Sequence, residues 1–249
     1  MAKNIFVLCA LVVCSFYVST VSGTLPSYIR ACSRTNKLNE CALRVAKVVS
    51  PTFAKGDPAL GIPSLEPLMV KEINTFGTSG PEGIKIVLRN NIMTGVGNLE
   101  VKKINIDEAK KRVTVRLFGD LKLDSEYELS GRLLIIPLSG KGKALTKLRN
   151  VKIEYYFEYN LITLDNGKQY FNITNDNVKY DIGKANFQLD NLFNGDKVLG
   201  ETTNNLLNEI WKDVLTEVAP PVALGLKTGV TASVAAFLKH VSYDEFFTP

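Results

Sequence analysis

The chain has 249 residues, of which 45% are hydrophobic and 22% charged, with a formal net charge of +5, a single histidine and four cysteines. That size and composition suit one large domain or two small ones and do not suit a disulfide framework. With two of the cysteines in an N-terminal signal-like stretch and the other two expected to pair, the one histidine leaves too little material for a metal cluster or a Cys-His dyad.

Residues 1–23 have the layout of a secretory signal: Lys3 near the start, an apolar core from Ile5 to Tyr17, then Val21-Ser22-Gly23. Cleavage there starts the mature protein at Thr24, lowers the net charge to +4 by removing Lys3, and leaves Cys32 and Cys41 as its cysteines. In an oxidising compartment these two should pair, closing a short loop that staples the N-terminal turn.

A helix is expected to open at Leu38-Asn39-Glu40-Cys41, with Cys41, Val45, Val48 and Val49 as its buried stripe and Pro51 as its end. From Pro51 to Pro67 the chain is punctuated by Gly56, Asp57-Pro58, Gly61 and Pro63 while keeping Phe53, Leu60, Ile62 and Leu65 for burial, which predicts an ordered apolar loop.

Strands dominate from Gly83 to Leu192, in runs well beyond the usual length of about five or six residues, and long strands imply strong bending. Ile84, Ile86 and Leu88 alternate; Gly95 and Gly97 interrupt; Leu99 and Val101 resume; Ile104 and Ile106 follow after a change of parity at Lys102-Lys103 that signals a bulge. Val113, Val115, Leu117, Leu121 and Leu123 then face one way while Arg112, Thr114, Arg116 and Lys122 face the other, the pattern of a half-wet antiparallel sheet. Tyr127, Leu129, Leu133 and Ile135 lead to an expected turn at Ser139 to Gly142. Ile153, Tyr155, Phe157, Tyr159 and Leu161 form the fullest inward row, and Asp165-Asn166-Gly167 supplies a hairpin turn. The return strand sets Phe171 and Ile173 against Tyr170, Asn172 and Thr174, and a last strand leads through Phe187 and Leu189; an antiparallel meander is the simplest topology.

The stretch from Asp196 to Val241 organises the rest. Leu199, Leu206, Leu207, Ile210, Trp211, Val214, Leu215 and Val218 mark one helical face, opposite Glu201, Asn205, Glu209, Lys212 and Asp213. After Pro220-Pro221 the polarity disappears, and Lys227 is the only charge from Val218 to Leu238. The run approaches what a bilayer crossing needs. Its two prolines, Gly225, Gly229, several alanines and a central lysine favour instead a helix sleeved by the curved sheet and covered nearly all round.

Few residues carry chemistry. Gly77-Thr78-Ser79-Gly80-Pro81 has proline where a nucleophile elbow needs its last glycine, and Gly140-Lys141-Gly142-Lys143 lacks the P-loop spacing, so they read as a loop and a basic hairpin tip. The lysines and arginines between 102 and 152 are mixed with acids as on a solvated face, and no nucleic-acid module or stacking stripe accompanies them. His240 reads as a helix-end residue and Trp211 as core. Asn172-Ile173-Thr174 is a glycosylation acceptor whose asparagine should face solvent.

Several segments together resemble the takeout and haemolymph juvenile hormone-binding protein family of insects. They are Leu25-Pro26-Ser27-Tyr28-Ile29 with Cys32, Leu38 to Cys41, Gly61 to Pro67, Gly95 to Asn98, Gly131 to Pro137 with Gly140 to Gly142, Asn191 to Asp196, Asn208 to Trp211, and Tyr243 to Phe247. The resemblance covers essentially all of 24–249 as one domain. It implies an α+β fold in which a long helix is wrapped by a strongly curved antiparallel sheet, a half barrel of the tubular lipid-binding kind, enclosing an apolar tunnel. It implies carriage of terpenoids or other long apolar molecules and not catalysis, with takeout-type links to feeding, circadian output and chemosensory tissue. Ile210 stands where the takeout pattern commonly has asparagine, Ser242 where proline is usual, and a second disulfide is absent, which favours a takeout-type protein over a binder of juvenile hormone itself.

The residues lead the same way. Long inward rows of Tyr, Phe, Leu and Val facing an apolar helix make either a large core or a cavity. The candidate lining is Phe53, Ile62, Phe76, Leu117, Leu133, Tyr155, Phe157, Phe171, Phe187, Leu207, Trp211, Val234 and Phe237, with hydroxyls at best and no charge. Three functions stay open on sequence: a secreted, extracellular and monomeric carrier of a hydrophobic small molecule, needing no cofactor, metal or nucleic acid; a membrane-surface or bactericidal-type lipid-binding protein; and a secreted esterase. Transient contact with a membrane or a receptor also stays open, since the net charge suits anionic lipid.

Overall fold

A computed structural model describes residues 25–35, 37–76, 83–133 and 136–249. The expected signal at 1–23, the loop at 77–81 and the strand position assigned to Ile135 lie outside the described residues. In chain order the elements are β1 (Cys32–Ser33), α1 (Leu38–Ala54), β2 (Leu68–Phe76), β3 (Lys85–Thr94), β4 (Glu100–Asp107), β5 (Arg112–Leu133), β6 (Ile136–Thr163), β7 (Gln169–Leu189), α2 (Lys197–Glu209), α3 (Trp211–His240), α4 (Tyr243–Phe246) and β8 (Phe247–Thr248).

The sheet is antiparallel in the order β2-β3-β5-β6-β7, with β4 paired to the first half of β5 and β3 to the second. It does not close into a barrel. β5, β6 and β7 run 22, 28 and 21 residues and therefore bend through register shifts. One shift falls at Val101/Lys103, the parity change legible at Lys102-Lys103. Another faces Asp120 with Arg149 and Asn150; Asn150 takes a φ of 53° and its N–H donates to the Asp120 carboxylate at 2.8 Å. Each shift inserts a residue into one strand only, which increases twist and turns the ladder.

A third shift, at Asn90-Asn91 in β3, is held by a buried amide. Asn91 is 1% exposed; its Nδ2 donates to the carbonyls of Val70 (3.0 Å) and Leu88 (3.1 Å), and its Oδ1 accepts from the Ser125 hydroxyl (2.7 Å). Opposite the step from Glu158 to Tyr159 in β6, a shift leaves Thr174 of β7 without a ladder partner. Near it Tyr170, expected to face water, is buried together with Phe171, its hydroxyl accepting from Asn166.

Three expectations are corrected. The turn assigned to Ser139 to Gly142 lies inside β6, and the hairpin closes with Leu133 opposite Ile136. These glycines are not a basic tip: a Cβ at Gly142 would meet the Asp190 carbonyl at 2.3 Å, and one at Gly140 the Tyr127 hydroxyl at 2.8 Å. They are small because the chain leaving β7 crosses over them. Pro51 does not end α1, which continues to Ala54, where the carbonyl accepts from Leu65 N at 2.7 Å; Val48, assigned to the buried stripe, is 76% exposed. Pro220 and Pro221, after which the polarity of the sequence disappears, do not interrupt the C-terminal helix. They lie inside α3 at exposed and half-buried positions, and one carbonyl they free belongs to the exposed Thr216, where water can satisfy it.

The real break is at Ile210, between α2 and α3. α2 is fastened to the outer side of β7 by two asparagines one turn apart. Asn204 exchanges hydrogen bonds with both backbone groups of Leu189 (2.9 and 3.0 Å), and Asn208 does the same with Phe187 (2.7 and 2.9 Å). α3 then crosses the open side of the sheet, touching β7 and β2, its two outer strands. α3 is long and apolar enough to cross a membrane by length and composition, and only 11% of its most apolar window is fully buried. Leu224 on its outer side is 60% exposed, so the helix is not covered all round.

Cys32 and Cys41 are bonded, with Cα atoms 5.8 Å apart, and join α1 to β1, which pairs in parallel with the C-terminal β8. The two ends of the described chain are thus tied together. Replacing both cysteines with serine should lower unfolding stability by about 2.5–3 kcal/mol, the loop-closure entropy of so short a ring. Denaturant unfolding of the oxidised parent and the double variant measures it, and equal midpoints would refute it.

An apolar cavity between the sheet and the long helix

Among the described residues, most of the buried apolar side chains gather in three clusters. One gathers Ile84, Leu129, Leu133, Phe187, Leu207 and Val214; a second gathers Tyr155, Phe157, Phe171, Leu238 and Phe247; a third gathers Ala54, Leu65, Leu68, Met93 and Leu123. All three border a single cavity of about 580 Å³. It runs between the concave face of the sheet and the inner faces of α1 and α3, from Leu207 and Val214 toward Cys32, Phe246 and Phe247.

Most of the lining inferred from sequence lies on this wall: Phe53, Leu117, Leu133, Tyr155, Phe157, Phe171, Phe187, Leu207, Val234 and Phe237. Phe53 and Phe237 meet edge to face, 5.4 Å between centroids, so that α1 and α3 close one side together. Three expected residues stand elsewhere or outside the description. Ile62 is buried but packs within the loop after α1, where its backbone pairs with Asp57. Trp211 packs with Ile210 and Leu215 against the first cluster, off the wall, with the Lys212 ammonium 5.5 Å from its ring centroid. Phe76 ends β2 opposite Lys85, and its side chain lies outside the described residues.

The expectation of an uncharged wall is also corrected, because Lys227 and Arg30 border the cavity. Lys227 Nζ donates to Asp176 Oδ1 on β7 at 3.0 Å, with both side chains 18% exposed. The other Asp176 oxygen accepts from the Thr231 hydroxyl at 2.5 Å, and Thr231 Oγ1 lies 3.2 Å from the Tyr155 hydroxyl. Burial pushes the Tyr155 hydroxyl above its ordinary range and the nearby Asp176 charge adds to the effect, so the phenol stays neutral. Elsewhere on the wall Tyr127 donates to the Asp190 carbonyl at 2.7 Å, and burial first, then Asp190, pushes its pKa up to about 12. Lys227 was visible in the sequence as the lone charge of its run, and its partner Asp176 as the one acid in phase with Val178, Tyr180 and Ile182.

Among the described residues no group of three or more His, Cys, Asp or Glu side chains could hold a metal ion. Asn172 is exposed and its amide bonds Asn160 at 2.8 Å, so the outward assignment of that position holds. A second, more open depression between β7 and α2 is polar and is spanned by the Asn204 and Asn208 contacts already described.

The model of the haemolymph juvenile hormone binding protein family matches residues 7–248. The chain belongs to that family. Among its relatives, circadian clock-controlled protein daywake of Drosophila melanogaster is 26% identical over 234 residues, covering 91% of this chain and 89% of the relative. Its counterpart in Drosophila yakuba is 26% identical over 236 residues, with the same coverages. The crystal structure of Epiphyas postvittana Takeout 1 superposes with a TM-score of 0.83 at 25% identity, over 89% of this chain and all of that one. The haemolymph juvenile hormone binding protein fold therefore accounts for the half barrel closed by a long helix.

Proposed function

We propose that this protein is a secreted, monomeric carrier that holds one long hydrophobic small molecule, a terpenoid, fatty acid or similar lipid, in the cavity between sheet and helix. The observation that carries the reading is the cavity itself: about 580 Å³ lined almost wholly by carbon, within the range of small-molecule sites. Membership of a family named for hormone binding supports it. The proposal takes 1–23 as a signal and 24–249 as a single ligand-binding domain, and it gives the site no catalytic role. Asn172 is accessible for glycosylation on the secretory route.

A site of this kind selects chiefly by length and width, since one methylene in an apolar pocket is worth only about 1–3 kcal/mol. Native mass spectrometry of protein purified from a eukaryotic secretion host, followed by organic extraction, tests the reading. One apolar molecule per chain, exchangeable for an added terpenoid, is the expected result. Protein that takes up no apolar compound yet binds anionic vesicles would overturn it in favour of a membrane-surface role.

A further inference from the structure

We infer that Asp176, Thr231 and Tyr155 form a one-way hydrogen-bond chain that ends at Tyr155 on the cavity wall and makes this protein prefer ligands bearing a hydroxyl over ligands whose polar atoms are acceptors only. The inference rests on the carrier reading above and adds to it the chemistry of the cargo's polar end.

The direction of the chain follows from proton counting. A carboxylate has no proton to give, so at the 2.5 Å contact Thr231 must donate to Asp176 Oδ2. A threonine hydroxyl has only one proton, and this contact uses it. At the 3.2 Å contact between Thr231 Oγ1 and the Tyr155 hydroxyl, where geometry alone allows either donor, Tyr155 must therefore be the donor. With its only proton committed, the phenol oxygen offers the cavity nothing but lone pairs. Lys227, bonded to Asp176 Oδ1 at 3.0 Å, holds that carboxylate turned with its other oxygen toward Thr231, which holds the whole chain in this sense.

Of the charged donors bordering the cavity, Arg30 and Lys227, the one beside Tyr155 is Lys227, and its ammonium is turned onto Asp176 through Oδ1 at 3.0 Å and the backbone carbonyl at 3.5 Å. Tyr155 borders the cavity between Phe157 and Val178, and the fixed chain lies at the seam of β7 and α3. An alcohol reaching Tyr155 can donate to it. An ether, ester or ketone at the same place sets lone pair against lone pair and loses its hydrogen bonds to water without replacement. Thr231 and Asp176 act through Tyr155 as positioning residues.

The test is competition against the fluorescent probe N-phenyl-1-naphthylamine by farnesol, farnesyl methyl ether and farnesene, which share one carbon skeleton. The parent should bind farnesol about tenfold more tightly than the methyl ether, the scale of one hydrogen bond in a dry site. Tyr155→Phe should bring the two affinities together. Thr231→Val should reverse the preference, because the Tyr155 proton is then free to meet an acceptor, an outcome that a purely structural role for Thr231 does not produce. Thermal unfolding confirms that each variant is folded. Equal binding of the three compounds by the parent, or a farnesol preference that survives Tyr155→Phe, would overturn the inference while leaving the carrier reading intact; displacement by none of them would overturn both.

Discussion

The Val234→Trp protein is expected to fold and to lose affinity for long apolar ligands by about a hundredfold or more. Val234 lies on the face of α3 that borders the cavity, between Val230 and Leu238, opposite the row of Tyr155, Phe157 and Phe171. An indole there has empty volume to enter, so it does not meet the steric cost of overpacking a filled core, usually about 1–3 kcal/mol. It does occupy the space a ligand chain would thread, and a long molecule cannot keep most of its carbon buried on one side of such a block. Probe competition together with a melting curve checks both halves. A variant that binds as well as the parent would mean that ligands do not enter this cavity.

Asn91→Ala should cause the largest loss of stability of any single substitution considered, about 4 kcal/mol. Three partners depend on this one amide: the carbonyls of Val70 and Leu88 and the hydroxyl of Ser125. Each is left without its partner in a place where Asn91 is 1% exposed, and an unsatisfied buried polar group costs about 1–3 kcal/mol. The bend between β2, β3 and β5 also loses the group that fixes its shape. Urea unfolding should show a lower midpoint with an unchanged slope, and Asn172→Ala, at an exposed strand position, serves as the comparison. A midpoint for Asn91→Ala equal to that of Asn172→Ala would show that water replaces the amide.

What could be read in advance was what alternation controls. The inward rows of β4, β5 and β6 follow from period-two patterning because one face meets the cavity and the other meets water, and the parity change at Lys102-Lys103 places a bulge for the same reason. Where local preference and tertiary packing disagree, packing decided. Gly140 and Gly142 resemble a turn but are small because Asp190, Asn191 and Leu192 cross above them, a contact made by residues some fifty positions away. The prolines at 220 and 221 lie inside α3, which continues through them and packs against β7 and β2. Trp211 carries the right periodicity for the wall but lies at the break after Ile210, where the helix axis changes. Lys227 and Asp176 each stood out against an apolar row, but their pairing depends on how α3 crosses β7, which no spacing within either segment encodes.

The way the sheet is bounded has a consequence for how this protein behaves in a crowd. An antiparallel sheet that fails to close leaves two outermost strands whose free amides and carbonyls can recruit another chain. Here the end of β7 is already occupied, since Asn204 and Asn208 take both backbone groups of Leu189 and Phe187 as a further strand would. α3 packs against β7 and β2, and α1 packs against β4, whose other edge also lacks a strand partner among the described residues. The helix that roofs the cavity is therefore also the guard against edge-to-edge polymerisation, and a cargo-free molecule whose roof lifted would expose sticky edges along with its hollow.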